Sequence, residues 1–250
     1  MDQDARLQQI AQWLQSQPLV TVRDICERFG VSRDTARRDL VKLQEQGTIM
    51  RARGGAVPAA VPDFRQRQDE QAESKRALAA AAASYIRDGA TVFLDASTTV
   101  SYLAEFVKEK RLTVVTASVP IARSFAELEG TDVYTLGGRV NKRDLYASGS
   151  MVIAMLDYFR ADVALLGACG VYRGEMTVQD AEDAMIKQKM IARSDEVLLL
   201  ADRTKLGMRL PFSVGALEDV DVLLTDAPAE AVQQAKAGGA APKHIHTVGI

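Results

Sequence analysis

The sequence predicts an α/β chain in two parts, a small helical domain closed by a hairpin and a larger, mostly parallel, doubly wound α/β domain. Three observations predict it. Helical apolar spacing with strong stop signals fills the first 57 residues. From Ala90 onward, short apolar runs alternate with amphipathic stretches, the pattern of a parallel sheet buried on both faces. Charge also divides the chain: residues 1–60 hold nine Lys/Arg and seven Asp/Glu, whereas the rest is net acidic. A mildly basic head on an acidic body suggests a nucleic-acid-binding module beside a domain of another kind.

Along the head, Leu7, Ile10, Trp13 and Leu14 lie at helical spacing, and Pro18 ends that pattern. A second helix is expected from Val22 to Phe29, with Thr21 as N-cap. Gly30 stands where a left-handed turn residue is wanted. Ser32 then caps a third helix over roughly Arg33–Gln46, stopped by Gly47. TIMRARGGAVPAA follows, a short extended stretch with a Gly-Gly turn that reads as a wing. Residues 58–72, with Pro58, Pro62 and a polar run, read as a linker, with continuation into a helix as the alternative, and the effector-type domain spans 73–250. It opens with an Ala-rich helix from Glu73 to Arg87. Seven strand candidates follow: TVFLD, LTVVT, DVYTLGG, ADVALLGACG, EVLLLAD, DVLLTD and HIHTV.

Net charge −2 and a pI near 5.8 exclude a chain coated in nucleic acid, so DNA contact has to be local. Cys26 and Cys169 are too far apart in sequence to suggest a metal site or disulfide framework, so no metal or cofactor is expected. The polar, amphipathic start is not a signal peptide, and no apolar run reaches membrane-spanning length. A cytoplasmic protein without a membrane partner is expected.

The segment Ser32–Leu40 carries the most chemistry. A Ser-capped helix fits the major groove, and its first residues reach base edges. Arg33 and Arg37 share a face, Arg38 projects beside them, and Thr35 offers a hydroxyl and a methyl. Taken alone, such a helix reads more readily as a solvated face, with Asp34 and Asp39 pairing with Arg38 or Lys42. The surrounding order decides for DNA: helix, Gly turn, capped basic helix, then a wing with Arg51 and Arg53 able to reach phosphates.

Residues 5–57 resemble the winged helix-turn-helix head of the DeoR family of bacterial transcriptional regulators, on the S-x-x-T-x-R-R-D-L run and the later R-x-x-G-G-A. The resemblance implies that Ser32, Thr35, Arg37 and Arg38 lie on a recognition helix and Arg51 and Arg53 in the wing.

The second domain collects polar loops after its strands, the edge where α/β sheets bind ligands. Asp95, Ser97, Thr98 and Thr99 open a helix and suit an anion, although in isolation they read at least as well as an ordinary strand-to-helix turn whose Ser and Thr cap the helix. Thr116 and Ser118 end the next strand; Gly137, Gly138 and Arg139 end another. Gly167 leaves room for a close approach, Asp183 and Lys187 form an i,i+4 pair that alone reads as a surface salt bridge, and Asp202 and Lys205 follow EVLLLA. This half resembles the DeoR sensor domain, similar in fold to ribose-5-phosphate isomerase. That resemblance implies a phosphorylated sugar or related effector. The family's D-x-G-T-T, Gly-Gly-x, E-A-x-x-K and D-x-S-K-x-G motifs fall on Asp95–Thr99, Gly137–Arg139, Asp183–Lys187 and Asp202–Gly207. Departures are Ser97 for Gly, Ala117 for Asn, Asp183 for Glu, and Arg203-Thr204 in the last motif.

The expected function is DNA-dependent regulation, repression of a carbohydrate or polyol operon, by a homo-oligomer (dimer or tetramer) that binds double-stranded operator DNA. Two alternatives stand beside it: a sugar-phosphate isomerase fused to a DNA-binding head, and a DNA-binding scaffold whose sensor has lost its ligand.

Overall fold

A computed structural model describes residues 3–15, 19–45, 49–52, 55–58, 63–236 and 239–249. The chain forms two compact units, Met1–Val61 and Pro62–Ile250.

The first unit contains α1 (Gln3–Gln15), β1 (Val20–Thr21), α2 (Val22–Phe29), α3 (Arg33–Glu45), β2 (Ile49–Ala52) and β3 (Gly55–Pro58). The caps expected from sequence set its turns. The Thr21 hydroxyl accepts from the Asp24 amide at 3.1 Å, and the Asp24 carboxylate accepts from the Thr21 amide at 2.8 Å, a reciprocal capping box. Gly30 takes φ +64 and donates to the Cys26 carbonyl, turning the chain into α3. The Ser32 hydroxyl accepts from the Thr35 amide at 3.2 Å. Leu7, Ile10, Leu14, Ile25, Ala36, Leu40, Leu43 and Ile49 build the core. In the wing sheet, ordered β1-β3-β2 and antiparallel, a Cβ on Gly55 would lie 2.2 Å from the Val20 carbonyl oxygen. Glycine is what lets those strands meet.

The second unit runs α4 (Phe64–Asp69), α5 (Ala72–Ala83), β4 (Thr91–Leu94), α6 (Thr98–Ser101), β5 (Leu112–Thr116), α7 (Val119–Ala126), β6 (Thr131–Thr135), β7 (Arg139–Asn141), β8 (Tyr146–Ser148), α8 (Ser150–Leu156), β9 (Ala161–Gly167), β10 (Gly170–Tyr172), β11 (Glu175–Val178), α9 (Ala181–Ala192), β12 (Ser194–Ala201), β13 (Phe212–Ala216), β14 (Val222–Thr225), α10 (Ala229–Ala235) and β15 (His244–Thr247). Residues 64–69, read from sequence as linker, are helical, and Phe64 is buried. The helix that follows β4 is only one turn, Thr98–Ser101, and a 3-10 turn over Tyr102–Glu105 continues it.

All seven predicted strands join one parallel sheet, ordered β15-β14-β12-β9-β4-β5-β6. Alternate residues feed two apolar layers: Phe93, Val115, Leu166 and Leu199 on one face, Val92, Leu94, Val114, Leu165 and Leu200 on the other. Sequence order runs outward from β4 through β5 to β6, then resumes at β9 on the other side. The order therefore reverses between β4 and β9, which opens a crevice at their carboxyl ends. Two smaller antiparallel elements, the β7–β8 hairpin and the β10-β11-β13 sheet, flank that edge.

Candidate functional sites: a basic helix and the sheet's carboxyl edge

Helix α3 exposes Arg33, Arg37 and Arg38, and none of the three forms an ion pair among the described residues. Asp39 departs from the pairing with Arg38 or Lys42 that the solvated-face reading required. It is fully buried and fastens α3 to α1, accepting from Arg6 at 2.7 and 3.2 Å and from Gln3 at 3.0 Å. Burial alone raises a carboxyl pKa; the Arg6 and Gln3 hydrogen bonds outweigh it and hold Asp39 below the usual range. The Asp that looked like a neutraliser is an inward strut, so the arginines keep their charge facing out. The Thr35 hydroxyl lies 2.9 Å from that of Ser32. Arg51 lies in β2, opposite Ala56; Arg53 falls outside the described residues.

At the sheet edge, one local device ends four parallel strands. A side-chain oxygen of the residue closing the strand accepts from the amide two residues on: Asp95 from Ser97 at 3.0 Å, Thr116 from Ser118 at 3.0 Å, Asp202 from Thr204 at 2.9 Å, Thr225 from Ala227 at 3.1 Å. Asp and Thr suit this turn because their short side chains reach their own backbone. Ser97 and Ser118 then cap the helices that follow, accepting from Thr99 at 3.0 Å and Ile121 at 3.4 Å. Thr98 and Thr99 are buried on the one-turn α6.

The reversal point holds a buried charge cluster. Asp95, 1% exposed, accepts from the Gly167 amide at 2.9 Å and pairs with Lys187. Lys187 also pairs with Asp183 at 3.3 Å. The Asp183–Lys187 pair is thus an interior one, tied across the crevice to Asp95. Burial opposes the Lys187 charge, but Asp183 and Asp95 outweigh it and push its pKa up; burial likewise raises the Asp183 carboxyl. A Cβ on Gly167 would sit 1.9 Å from the Ser97 hydroxyl, so glycine admits the Asp95–Thr99 loop.

Not every predicted residue converges there. Arg139 is exposed and pairs with Glu182 at 3.2 Å, Gly137 donates its amide to the Met155 sulfur at 3.2 Å, and Gly138 packs under the Ser148 carbonyl. Lys205 has no carboxylate partner among the described residues; its neighbour in electrostatic reach is Lys75, on α5. A cleft of about 470 Å³ is lined by Phe64, Gln68, Tyr102 and Pro120 among others, and none of the predicted effector residues lines it.

Lys75 escaped the sequence reading. It is 3% exposed and donates to the Arg67 carbonyl without any ion-pair partner among the described residues. Burial, then the Lys205 charge, push its pKa down to about 8. Next to it, Ser74 donates to Asp226 at 2.9 Å, docking the start of α5 beside the end of β14. One signal was present in the sequence: Lys75, Leu78, Ala79 and Ala82 share a helical face, a cation on the buried side of an apolar helix.

Residues 6–60 match the DeoR-like helix-turn-helix domain, and residues 70–227 match the DeoR C terminal sensor domain. The chain belongs to the DeoR family of transcriptional regulators. The HTH-type transcriptional repressor GlcR of Bacillus subtilis is 40% identical, covering 90% of this chain and 89% of that protein. The glycerol-3-phosphate regulon repressor of Escherichia coli is 30% identical, over 91% and 92%. The lactose phosphotransferase system repressor of Staphylococcus aureus is 29% identical, over 90% and 93%. Ribose 5-phosphate isomerase A from Neisseria gonorrhoeae aligns over 52% of each chain at 15% identity and TM-score 0.40, a likeness too slight to carry an argument. This DeoR-family member is a DNA-binding transcriptional regulator rather than an isomerase. Among its described residues, no helix is long and apolar enough to cross a membrane.

Proposed function

We propose that the protein represses a carbohydrate or polyol operon in the cytoplasm, as a homo-oligomer whose operator affinity is set by a phosphorylated effector. Ser32, Arg33, Thr35, Arg37 and Arg38 address the major groove, and Arg51 and Arg53 of the wing address the backbone. The observation that carries the effector half is Lys75, a buried ammonium at the carboxyl edge of a parallel sheet with no ion-pair partner among the described residues, where burial and the Lys205 charge outweigh Asp202 and Glu70. Retaining an unpaired buried cation is costly, and an anionic ligand removes that cost. Lys75 and Lys205 take the phosphoryl group in this reading. Asp95, Asp183 and Lys187, with the Ser97–Thr99 loop, take the hydroxyls.

The relatives named above as glycerol-3-phosphate and lactose phosphotransferase repressors support an effector of this class. Two heads in an oligomer meet two half-sites about one helical turn or a multiple apart. Linkage requires that an effector which weakens operator binding is itself bound less tightly by the DNA complex. The test is Lys205→Ala. Basal operator binding persists, while the operator response to a panel of sugar and polyol phosphates disappears. A normal response in that variant places the phosphoryl site elsewhere.

A further inference from the structure

Two buried polar atoms near the reversal point, the Arg67 Nε and the Tyr146 hydroxyl, lack the hydrogen-bond partner that buried groups normally find among the described residues. Lys75 has the Arg67 carbonyl as acceptor but no ion-pair partner among the described residues. Arg67 is held by its Nη2, which donates to Asp144 at 2.6 Å, and its carbonyl accepts from the Lys75 ammonium. Its charge reaches Asp183 and Cys169, next to the Asp95–Lys187 pair, as well as Lys75. Tyr146, 3% exposed, lies beside Asp183, Asp180 and Asn141, with Asp180 and Asn141 the side chains nearest to satisfying its hydroxyl. Arg67 therefore borders both the cationic and the carboxylate parts of the crevice.

Helix α4, which carries Arg67, is itself tied to the β7–β8 turn and to the end of α6. The Phe64 amide donates to the Arg143 carbonyl at 3.1 Å in the β7–β8 turn. Gln68 donates to the Ser101 hydroxyl at 3.1 Å, and its carbonyl accepts from Tyr102 at 2.9 Å. The chain reaches α4 directly from the DNA-binding unit, which ends at Val61.

We propose that Arg67 and Tyr146 are effector-contacting residues, and that Arg67 makes α4 the element through which occupancy is communicated toward the DNA-binding unit. An Nε–H donates only, and a phenol readily donates, so the two groups suit an acceptor-rich ligand. Arg67, in reach of the Lys75 charge, faces the phosphoryl end of a phosphorylated polyol, and Tyr146, beside Asp183 and Asp180, faces its hydroxyls. The inference rests on the effector reading given above.

The experiment is calorimetric titration of the full chain with sn-glycerol 3-phosphate, glucose 6-phosphate, fructose 1-phosphate and inorganic phosphate. Each is paired with operator titrations with and without the ligand that binds. Arg67→Gln is expected to weaken the binding ligand at least tenfold, and Tyr146→Phe about fivefold. In both variants operator affinity without ligand stays within twofold of wild type. At saturating ligand, Arg67→Gln still shows a smaller change in operator affinity than wild type, which a role confined to holding the fold does not produce. Wild-type binding that Lys205→Ala abolishes and both variants keep within twofold overturns this inference and leaves the effector reading standing. No binding by the wild type to any of the four overturns both. Should Arg67→Gln fail to fold, Tyr146→Phe decides: unchanged binding overturns the proposal, and weakened binding supports it.

Discussion

Replacing Lys75 with methionine should stabilise the protein at neutral pH while destroying its effector response. The Lys75 pKa falls from 10.5 to about 8 on folding. Because the folded value is the lower one, the protonated side chain destabilises the fold fully below pH 8, and the effect fades as pH rises toward 10.5. A gap of about 2.5 pH units corresponds to about 3 kcal/mol as an upper figure. Methionine has similar length and no charge, but it leaves the Arg67 carbonyl without its donor, at a cost of about 1 kcal/mol. The net gain is about 2 kcal/mol, or about 4–8 °C in Tm for a unit of this size. Thermal unfolding of wild type and Lys75→Met at pH 7 and pH 10 measures it. The gain should be present at pH 7 and mostly gone at pH 10. A variant less stable at pH 7, or a gain that does not change with pH, refutes the reasoning. Natural sequences retain such a residue when function requires it.

Other predictions concern the two units separately. Arg37→Ala should cost about 1–3 kcal/mol of specific operator affinity in an anisotropy titration at fixed moderate salt, with thermal unfolding unchanged. Asp39→Ala removes the acceptor of Arg6 and Gln3; at the edge of a small unit it should cost about 3 kcal/mol, read as faster hydrogen exchange in α1 and α3. Since the folded Asp39 pKa is lowered, wild-type stability from this pair should hold above the unfolded value near 4 and drop as pH falls through the folded one. Gly167→Ala forces a methyl against Ser97 and should destabilise the fold by about 1–3 kcal/mol while weakening the effector, both measurable by thermal shift with and without ligand.

Much of this architecture is legible in the residues because it is local. The seven parallel strands announce themselves as apolar runs, since a sheet covered on both faces asks for nothing else. The head's turns follow from Thr21, Gly30 and Ser32, whose caps act within three or four residues. Strands β7, β8, β10, β11 and β13 escape notice because polar residues and glycines interrupt their three to five residues, RVN, YAS, GVY, EMTV and FSVGA, so none forms an apolar run. Pairings such as Arg6 with Asp39 or Lys187 with Asp95, 92 residues apart, depend on topology that spacing does not encode. Lys75 and Arg67 hide for a related reason. An Ala-rich helix and a polar connecting stretch look ordinary until the fold turns their cations inward. Arg139 is the converse case, a phosphate candidate by motif that ends exposed against Glu182.

A single titration bears most directly on the link between the arginine-bearing helix and the sheet edge behind it. Fluorescent operator DNA is held at half-saturation with the full chain while sugar and polyol phosphates are added one at a time. The account predicts that at least one compound shifts operator affinity saturably in the wild type, that Lys205→Ala abolishes the shift, and that Arg37→Ala abolishes the operator complex itself. Operator binding that no phosphorylated compound alters, or a response that survives intact in Lys205→Ala, would contradict it.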